Sequence, residues 1–135
     1  MSLALNEFQR AVYARLKSQL TTPVYNHVPQ GSSFPYVVTG YKTAVPWRTK
    51  TEDGQEITIT IDVWSHAAGD KEAATIMEQV YAALDRQESA LTMSGFTCVV
   101  IECGFHELAP YTEDEAEPDH YYHGVMRFRA LVETD

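Results

Sequence analysis

The sequence predicts a single α+β domain spanning residues 1–135. Its expected architecture is a twisted, mainly antiparallel sheet of four to six strands, with two helices packed on one face. Three observations carry this. Residues 55–65, QEITITIDVWS, alternate apolar and polar side chains at a period of two, and successive strand side chains point to opposite faces. Two other stretches, residues 6–20 and 70–84, repeat apolar side chains at spacings of three and four, the pattern of a helix with one buried stripe. The C-terminal third is again rich in β-branched and aromatic residues. Helix, strands, helix, strands is the order of an α+β fold with its helices gathered on one side of the sheet.

Taken in order, the first helix covers residues 6–20. Leu5, Phe8, Val12, Leu16 and Leu20 form its stripe, and Asn6 is its expected cap. Thr22-Pro23 stops it, because the residue before proline avoids helical geometry. Residues 24–28 read as a short strand and residues 36–43 as a longer one. Residues 44–54, which contain Pro46, Trp47, Arg48 and Lys50, read as a loop closed by an Asp53-Gly54 turn. The central strand follows. Asp70 is placed to cap the second helix, whose stripe is Ala73, Ile76, Met77, Val80 and Leu84. Residues 90–93 suggest a short strand, and residues 96–105 a long one. Residues 107–119 carry two prolines and a run of carboxylates, the signature of an exposed loop. Residues 121–132 form the last strand, with Met126, Phe128 and Ala130 on one face and Val125, Arg127, Arg129 and Leu131 on the other.

Composition bounds the function. Of 135 residues, 44% are hydrophobic and 21% charged, enough for one core. The formal net charge is -9, which disfavours a surface that wraps a phosphate backbone. No apolar run reaches the roughly 18–20 residues of a membrane span, and no secretion signal is visible. Cys98 and Cys103 lie five apart in one strand. A regular strand places them on opposite faces and roughly 16 Å apart, too far to bridge. Two free thiols fit a reducing cytosol.

Chemistry is hard to find. His120 and His123 form an H-x-x-H, but on a strand residues three apart face opposite ways and cannot share a metal ion. The same argument separates Cys103 from His106 as nucleophile and base. No phosphate loop, nucleophile elbow or zinc-protease motif occurs. Neither a catalytic residue nor a cofactor or metal site is expected. The residues of interest are instead interface types: Trp47, Arg48 and Lys50 in the loop, Thr58, Thr60, Asp62 and Trp64 on the polar face of the central strand, and Arg127 and Arg129 on the last strand.

An ordered set of segments gives the chain a family resemblance. Val28-Pro29-Gln30-Gly31 precedes Phe34-Pro35-Tyr36-Val37-Val38. The stretch from Lys50 runs into Val63-Trp64-Ser65. Gly69 leads into an alanine-rich helix ending Val80-Tyr81-Ala82-Ala83-Leu84, and His123-Gly124-Val125 leads to Arg127-Phe128-Arg129-Ala130. With these the chain resembles the tail completion family (tail terminator or head–tail joining proteins) of long-tailed bacteriophages, prophages and gene transfer agents. The acidic stretch 107–119 falls outside the match. The resemblance implies a structural virion protein without catalysis or cofactor, assembled in the bacterial host cytoplasm. Six copies are expected to form a ring that caps the tail tube and docks the tail on the head connector, with DNA passing through unbound. Two other classes remain open from the residues alone. A small cytosolic ligand-binding domain requires a pocket where Cys103, His106 and Glu102 converge. An acidic adaptor requires a basic partner for its carboxylate-rich loop.

Overall fold

The structure is a computed structural model, and it describes residues 3–111 and 121–135. Two α-helices, α1 (Leu5–Gln19) and α2 (Lys71–Leu84), accompany strands β1 (Val24–Tyr25), β2 (Tyr36–Arg48), β3 (Asp53–Ser65), β4 (Phe96–Tyr111) and β5 (Tyr121–Thr134). The strands form one sheet in the order β1-β2-β3-β5-β4. Only the two-residue β1 runs parallel to its neighbour β2; the β2–β3, β3–β5 and β5–β4 pairs are antiparallel.

The alternation in the central strand sets the layers. Ile57, Ile59, Ile61 and Val63 are fully buried, and the residues between them are half-exposed. Both helices cover that aliphatic side. Phe8, Val12 and Leu16 of α1 and Ala73, Val80 and Leu84 of α2 join the same core, with Ile101 of β4 and Phe128 and Ala130 of β5. Each large aliphatic side chain withdrawn from water contributes about 1.5–3 kcal/mol, so this layer carries the stability. The buried Gln55 accepts a hydrogen bond from the Ala4 backbone N–H (3.1 Å) through its Oε1, tying the start of α1 to the sheet. Ser65 donates to Glu72 Oε1 (2.7 Å), tying the first turn of α2 to the end of β3.

Several local expectations are corrected. α1 starts a residue early, with Ala4 rather than Asn6 at its N-cap, and neither helix receives a side-chain cap bond, although Asp70 does occupy the N-cap of α2. The strand expected at residues 24–28 is only Val24–Tyr25. Residues 90–93 form no strand; a single 3-10 turn, Glu88–Ala90, overlaps their start. The loop expected at 44–54 is largely strand: β2 continues to Arg48, β3 begins at Asp53, and the turn lies between them. There the Thr49 hydroxyl accepts the Glu52 backbone N–H (3.0 Å) and the Thr49 N–H donates to the Glu52 carbonyl (2.9 Å). Gly54 serves a different purpose from the expected turn. A side chain there would meet the Trp47 ring at 2.7 Å and the Val132 carbonyl at 2.9 Å, so glycine makes room for the indole.

β4 also runs further than expected, to Tyr111, so residues 107–111 are strand; the rest of the expected acidic loop, and His120 with it, lie outside the described residues. Two bulges interrupt β4, between Cys98 and Val100 and between Cys103 and Phe105. Each inserts a residue and reverses the inside–outside alternation. Cys98 therefore pairs with Val132 and Cys103 with Phe128, both core-facing positions, so the two cysteines share a face instead of lying on opposite ones. The second bulge likewise brings His106, opposite Met126, to the same face as Cys103.

Candidate subunit interface

The face of the sheet turned away from the helices gathers most of the residues of interest. Register aligns Trp64 with His123, Asp62 with Val125, Thr60 with Arg127 and Thr58 with Arg129 across β3 and β5. On β4, Phe105 lies opposite Arg127 and Glu102 opposite Arg129. A band of alternating charge and aromatic rings results.

At its centre Arg129 donates to Glu56 Oε1 through Nε at 2.6 Å and to Glu102 Oε1 through Nη1 at 3.5 Å. Both acids belong to its own chain, one on each neighbouring strand. These carboxylates, Glu56 first, raise the guanidinium pKa further above its usual value. All three side chains are two-fifths or more exposed, so solvent screens the pairs and their contribution to folding is modest. Arg127 is exposed and lies over the Phe105 ring at 4.7 Å, a cation–π contact.

Toward the β4–β5 end, His123 Nε2 sits 2.7 Å from Asp62 Oδ1. The His123 ring stacks on Trp64 at 3.9 Å with an interplanar angle of 3°. Tyr111 meets the same indole edge-on at 5.4 Å. Phe34, Tyr36, His66 and Tyr121 continue the aromatic surface, with centroid separations of 4.6–5.9 Å. At the opposite end, the β2–β3 hairpin carries Trp47 over Gly54, Arg48 near Asp53 (3.7 Å) and an exposed Lys50 in the turn.

The structure thus unites Thr58, Thr60, Asp62, Trp64, Arg127 and Arg129 on one surface, with Trp47, Arg48 and Lys50 at its hairpin end. Sequence reasoning did not place Glu56, Glu102, Phe105 or His123 on this face; it weighed His123 only as a metal ligand and Glu102 only as a pocket group. Nothing in the chain marks Glu56 and Glu102 as partners of one arginine. Only the pairing register does.

The groups that a ligand pocket would need do not converge. Glu102 points to the charged face with Arg129. The Cys103 backbone N–H donates to Asp85 Oδ1 (2.9 Å), and its thiol donates to the Phe105 carbonyl (3.5 Å). Burial raises both thiol pKa values, that of Cys98 to about 12, so the sulfurs are held as unreactive thiols. His106 instead lines a groove of about 590 Å³ with Met77, Tyr81, Leu108 and Met126, an apolar wall between α2 and strands β4 and β5. Among the described residues no three of His, Cys, Asp or Glu cluster as metal ligands, and no helix is long and apolar enough to cross a membrane.

Comparison with known proteins matches this architecture. The family model for tail completion protein gp17 covers residues 10–133. The tail completion protein gp17 of Bacillus phage SPP1 is 25% identical over 138 residues, covering 98% of this chain and 97% of the phage protein. Among solved structures, a chain from the virion of a native gene transfer agent particle superposes with a TM-score of 0.84. The match covers 98% of this chain and 99% of that one at 24% identity, and it shows a shared fold.

Proposed function

The chain belongs to the tail completion protein gp17 family, and from that membership we propose that it is a structural virion protein that completes a phage-type tail. In this reading its copies close into a ring, six in the particle. The ring caps the tail tube, ends its growth and offers the surface on which the head connector docks, at the head–tail junction. The protein is assembled in the bacterial host cytoplasm and has no catalytic role.

The observation that carries the reading is the family match across residues 10–133, which takes in most of α1, all of α2 and the four long strands up to residue 133 of β5. The free face supports it. Cyclic rings use heterologous contacts, one patch meeting a different patch on the next copy. A sheet with helices on one side only leaves the other side and its edges available. We assign the subunit and tube contacts to Trp47, Arg48, Lys50, Thr58, Thr60, Asp62, Trp64, Arg127 and Arg129. A net charge of -9 suits a channel through which DNA slides without adhering.

The test is deletion of the gene in the particle-producing strain, read by electron microscopy. Expected are filled heads without tails and free tails of irregular length, with restoration by the gene supplied in trans. Intact particles from the deletion strain would falsify the reading.

A further inference from the structure

The sheet has two outer strands, and hydrogen bonds at its margins fix which backbone groups each leaves open. The Val37 N–H donates outward to the Pro23 carbonyl (2.9 Å). In an antiparallel ladder a residue that bonds one neighbour turns away from the other. Val37 pairs with Val63, Val63 with Gly124 and Gly124 with Leu108. Following that alternation, Leu108 must aim its N–H and C=O away from the sheet. The other margin gives the same rule independently. The Cys103 N–H bonds outward to Asp85, and Cys103 pairs through Phe128 and Ile59 to Lys42. Lys42, and with it Ala44 and Pro46, faces outward on β2.

Among the described residues, the alternation leaves two short segments open. On β2 the first residues are covered by β1 and Pro23, so residues 42–46 are the exposed stretch. On β4 the Ile101 carbonyl accepts the Arg86 N–H (2.8 Å) and Cys103 is held by Asp85, so the exposed stretch is 106–110. Both have the form X-x-X-x-Pro: Lys42, Ala44, Pro46 and His106, Leu108, Pro110. Each proline sits where its missing N–H costs the sheet nothing, as edge prolines do. Exposed apolar side chains mark the same strands: Tyr41 is 75% and Val45 59% exposed on β2, and Phe105 40% and Tyr111 42% on β4.

We propose that β2 of one copy adds, antiparallel, to β4 of the next, with Ala44 opposite Leu108, so that the joint between copies is a continued sheet. The inference rests on the ring reading above and specifies its contact. β2 and β5 run one way and β3 and β4 the other. Under cyclic symmetry about an axis along the strands, the β2 of the next copy therefore meets β4 antiparallel, the stronger pairing. In this register Ala44 and Leu108 exchange two hydrogen bonds. Lys42 donates to the Pro110 carbonyl and His106 to the Pro46 carbonyl, so the prolines lose only donors they never had. Faces match as well. Ala44 and Leu108 both lie on the helix side, while Thr43 falls opposite Ala109, Val45 opposite Glu107 and Trp47 opposite Phe105, with Tyr41 beside Tyr111. The hairpin cations Arg48 and Lys50 approach Asp85 and Glu102 of the next copy, an attractive pairing of charge. The apolar groove gains a side wall where Pro46 faces His106.

The geometry also closes. Leu108 is level with Val63 and Ala44 with Ile57, an offset of about 20 Å along β3 at roughly 3.3 Å per residue. Four strands span about 19 Å across the sheet. The implied tilt is about 45°, at the top of the roughly 35–45° usual in closed barrels. Helices then face outward and the charged face lines the channel.

The test uses single and double cysteine variants of the full chain, with assembly followed by sedimentation. Oxidation of a mixture of Thr43→Cys and Ala109→Cys is expected to give a covalent dimer, each variant alone none, and the double variant a ladder up to the closed ring. Thr43→Cys with Glu107→Cys, the register displaced by two, is expected to cross-link several-fold less; equal or greater yield overturns the register. Ala44→Pro removes one outward donor and is expected to keep its melting temperature and lose assembly. Assembly without a 43–109 cross-link overturns this joint and leaves the ring standing. A chain that sediments as a monomer at every concentration and in the particle overturns both.

Discussion

Ile59 and Thr58 are adjacent on the same strand, yet they belong to different kinds of surface. Ile59 is fully buried under two helices, touching side chains that have nowhere else to go. Thr58 is half-exposed, level with an arginine whose two acid partners come from the strands on either side. Contacts on the first face are many, small and specific to shape, and close packing makes them hard to replace. Contacts on the second are few, polar and screened, and another copy of the chain could supply their equivalents at little cost. Folding is therefore invested in one side of the sheet, and the other is left with chemistry that can be exchanged.

The contrast breaks most readily at Phe128, a fully buried ring in the middle of β5. Phe128→Ala is expected to destabilise the chain by about 3–5 kcal/mol through lost burial and a residual cavity. Thr58→Ala, opposite Arg129, should change stability by about 0.5 kcal/mol or less. Urea unfolding of the two variants measures both. Comparable losses would mean that folding depends on the open face no less than on the closed one.

A sharper case lies at Gly54, where a free-face ring presses on backbone. Gly54→Ala brings a methyl within 2.9 Å of the Val132 carbonyl and 2.7 Å of the Trp47 ring. Backbone cannot yield cheaply, so a loss of about 1–3 kcal/mol is expected, with a shift in tryptophan fluorescence as Trp47 lifts. Gly124→Ala is the control. Its nearest neighbours are atoms of the Met77 side chain, which can swing aside. It should cost less than Gly54→Ala despite the closer approach.

These positions also mark where the sequence was readable. The layer structure was legible because a period-two strand pattern and period-3.6 helix stripes are local signals that do not depend on partners. Family membership was legible from the ordered segments. What failed were signals with two physical meanings. Pro46 and Trp47 resemble loop residues, but proline is tolerated on an outer strand whose N–H faces outward. Asp53-Gly54 resembles a turn, but the glycine accommodates an indole. The cysteine spacing predicted opposite faces, but a bulge adds a residue that no composition reveals. The candidate face was half legible: Thr58, Thr60, Asp62 and Trp64 follow from alternation, whereas Glu56, Glu102 and His123 acquire meaning only through register with β4 and β5.

Reversing both arginines, Arg127→Glu with Arg129→Glu, separates folding from association on this face. The pairs with Glu56 and Glu102 are solvent-screened, so melting of the isolated chain should fall by only a few degrees. Arg127 holds the Phe105 ring that meets Trp47 of the next copy, and the reversed pair crowds carboxylates around the shared channel, so assembly should be lost. Assembly that survives the double reversal would remove these arginines from the subunit contact, and a chain that fails to fold would show that the open face is structural after all.

The smallest effect expected is at Glu133, beside Gly54 at the base of the β2–β3 hairpin. Its carboxyl pKa is raised, chiefly by a hydrogen bond with Glu52, so the folded chain holds that proton more tightly than the unfolded one. A raised carboxyl contributes stability that is fully present below the usual carboxylate range, about pH 4, and is lost as pH rises through the folded value. At neutral pH the two acids repel across an exposed site. Glu133→Gln keeps a donor toward Glu52 and removes that repulsion. Its melting temperature should exceed the parent's slightly at pH 7, match it near pH 3.5, and lose the advantage in high salt, where exposed charges are screened. A difference that persists at low pH would have to come from packing against the hairpin, and the division between a shape-held face and a charge-held face would then fail at this edge.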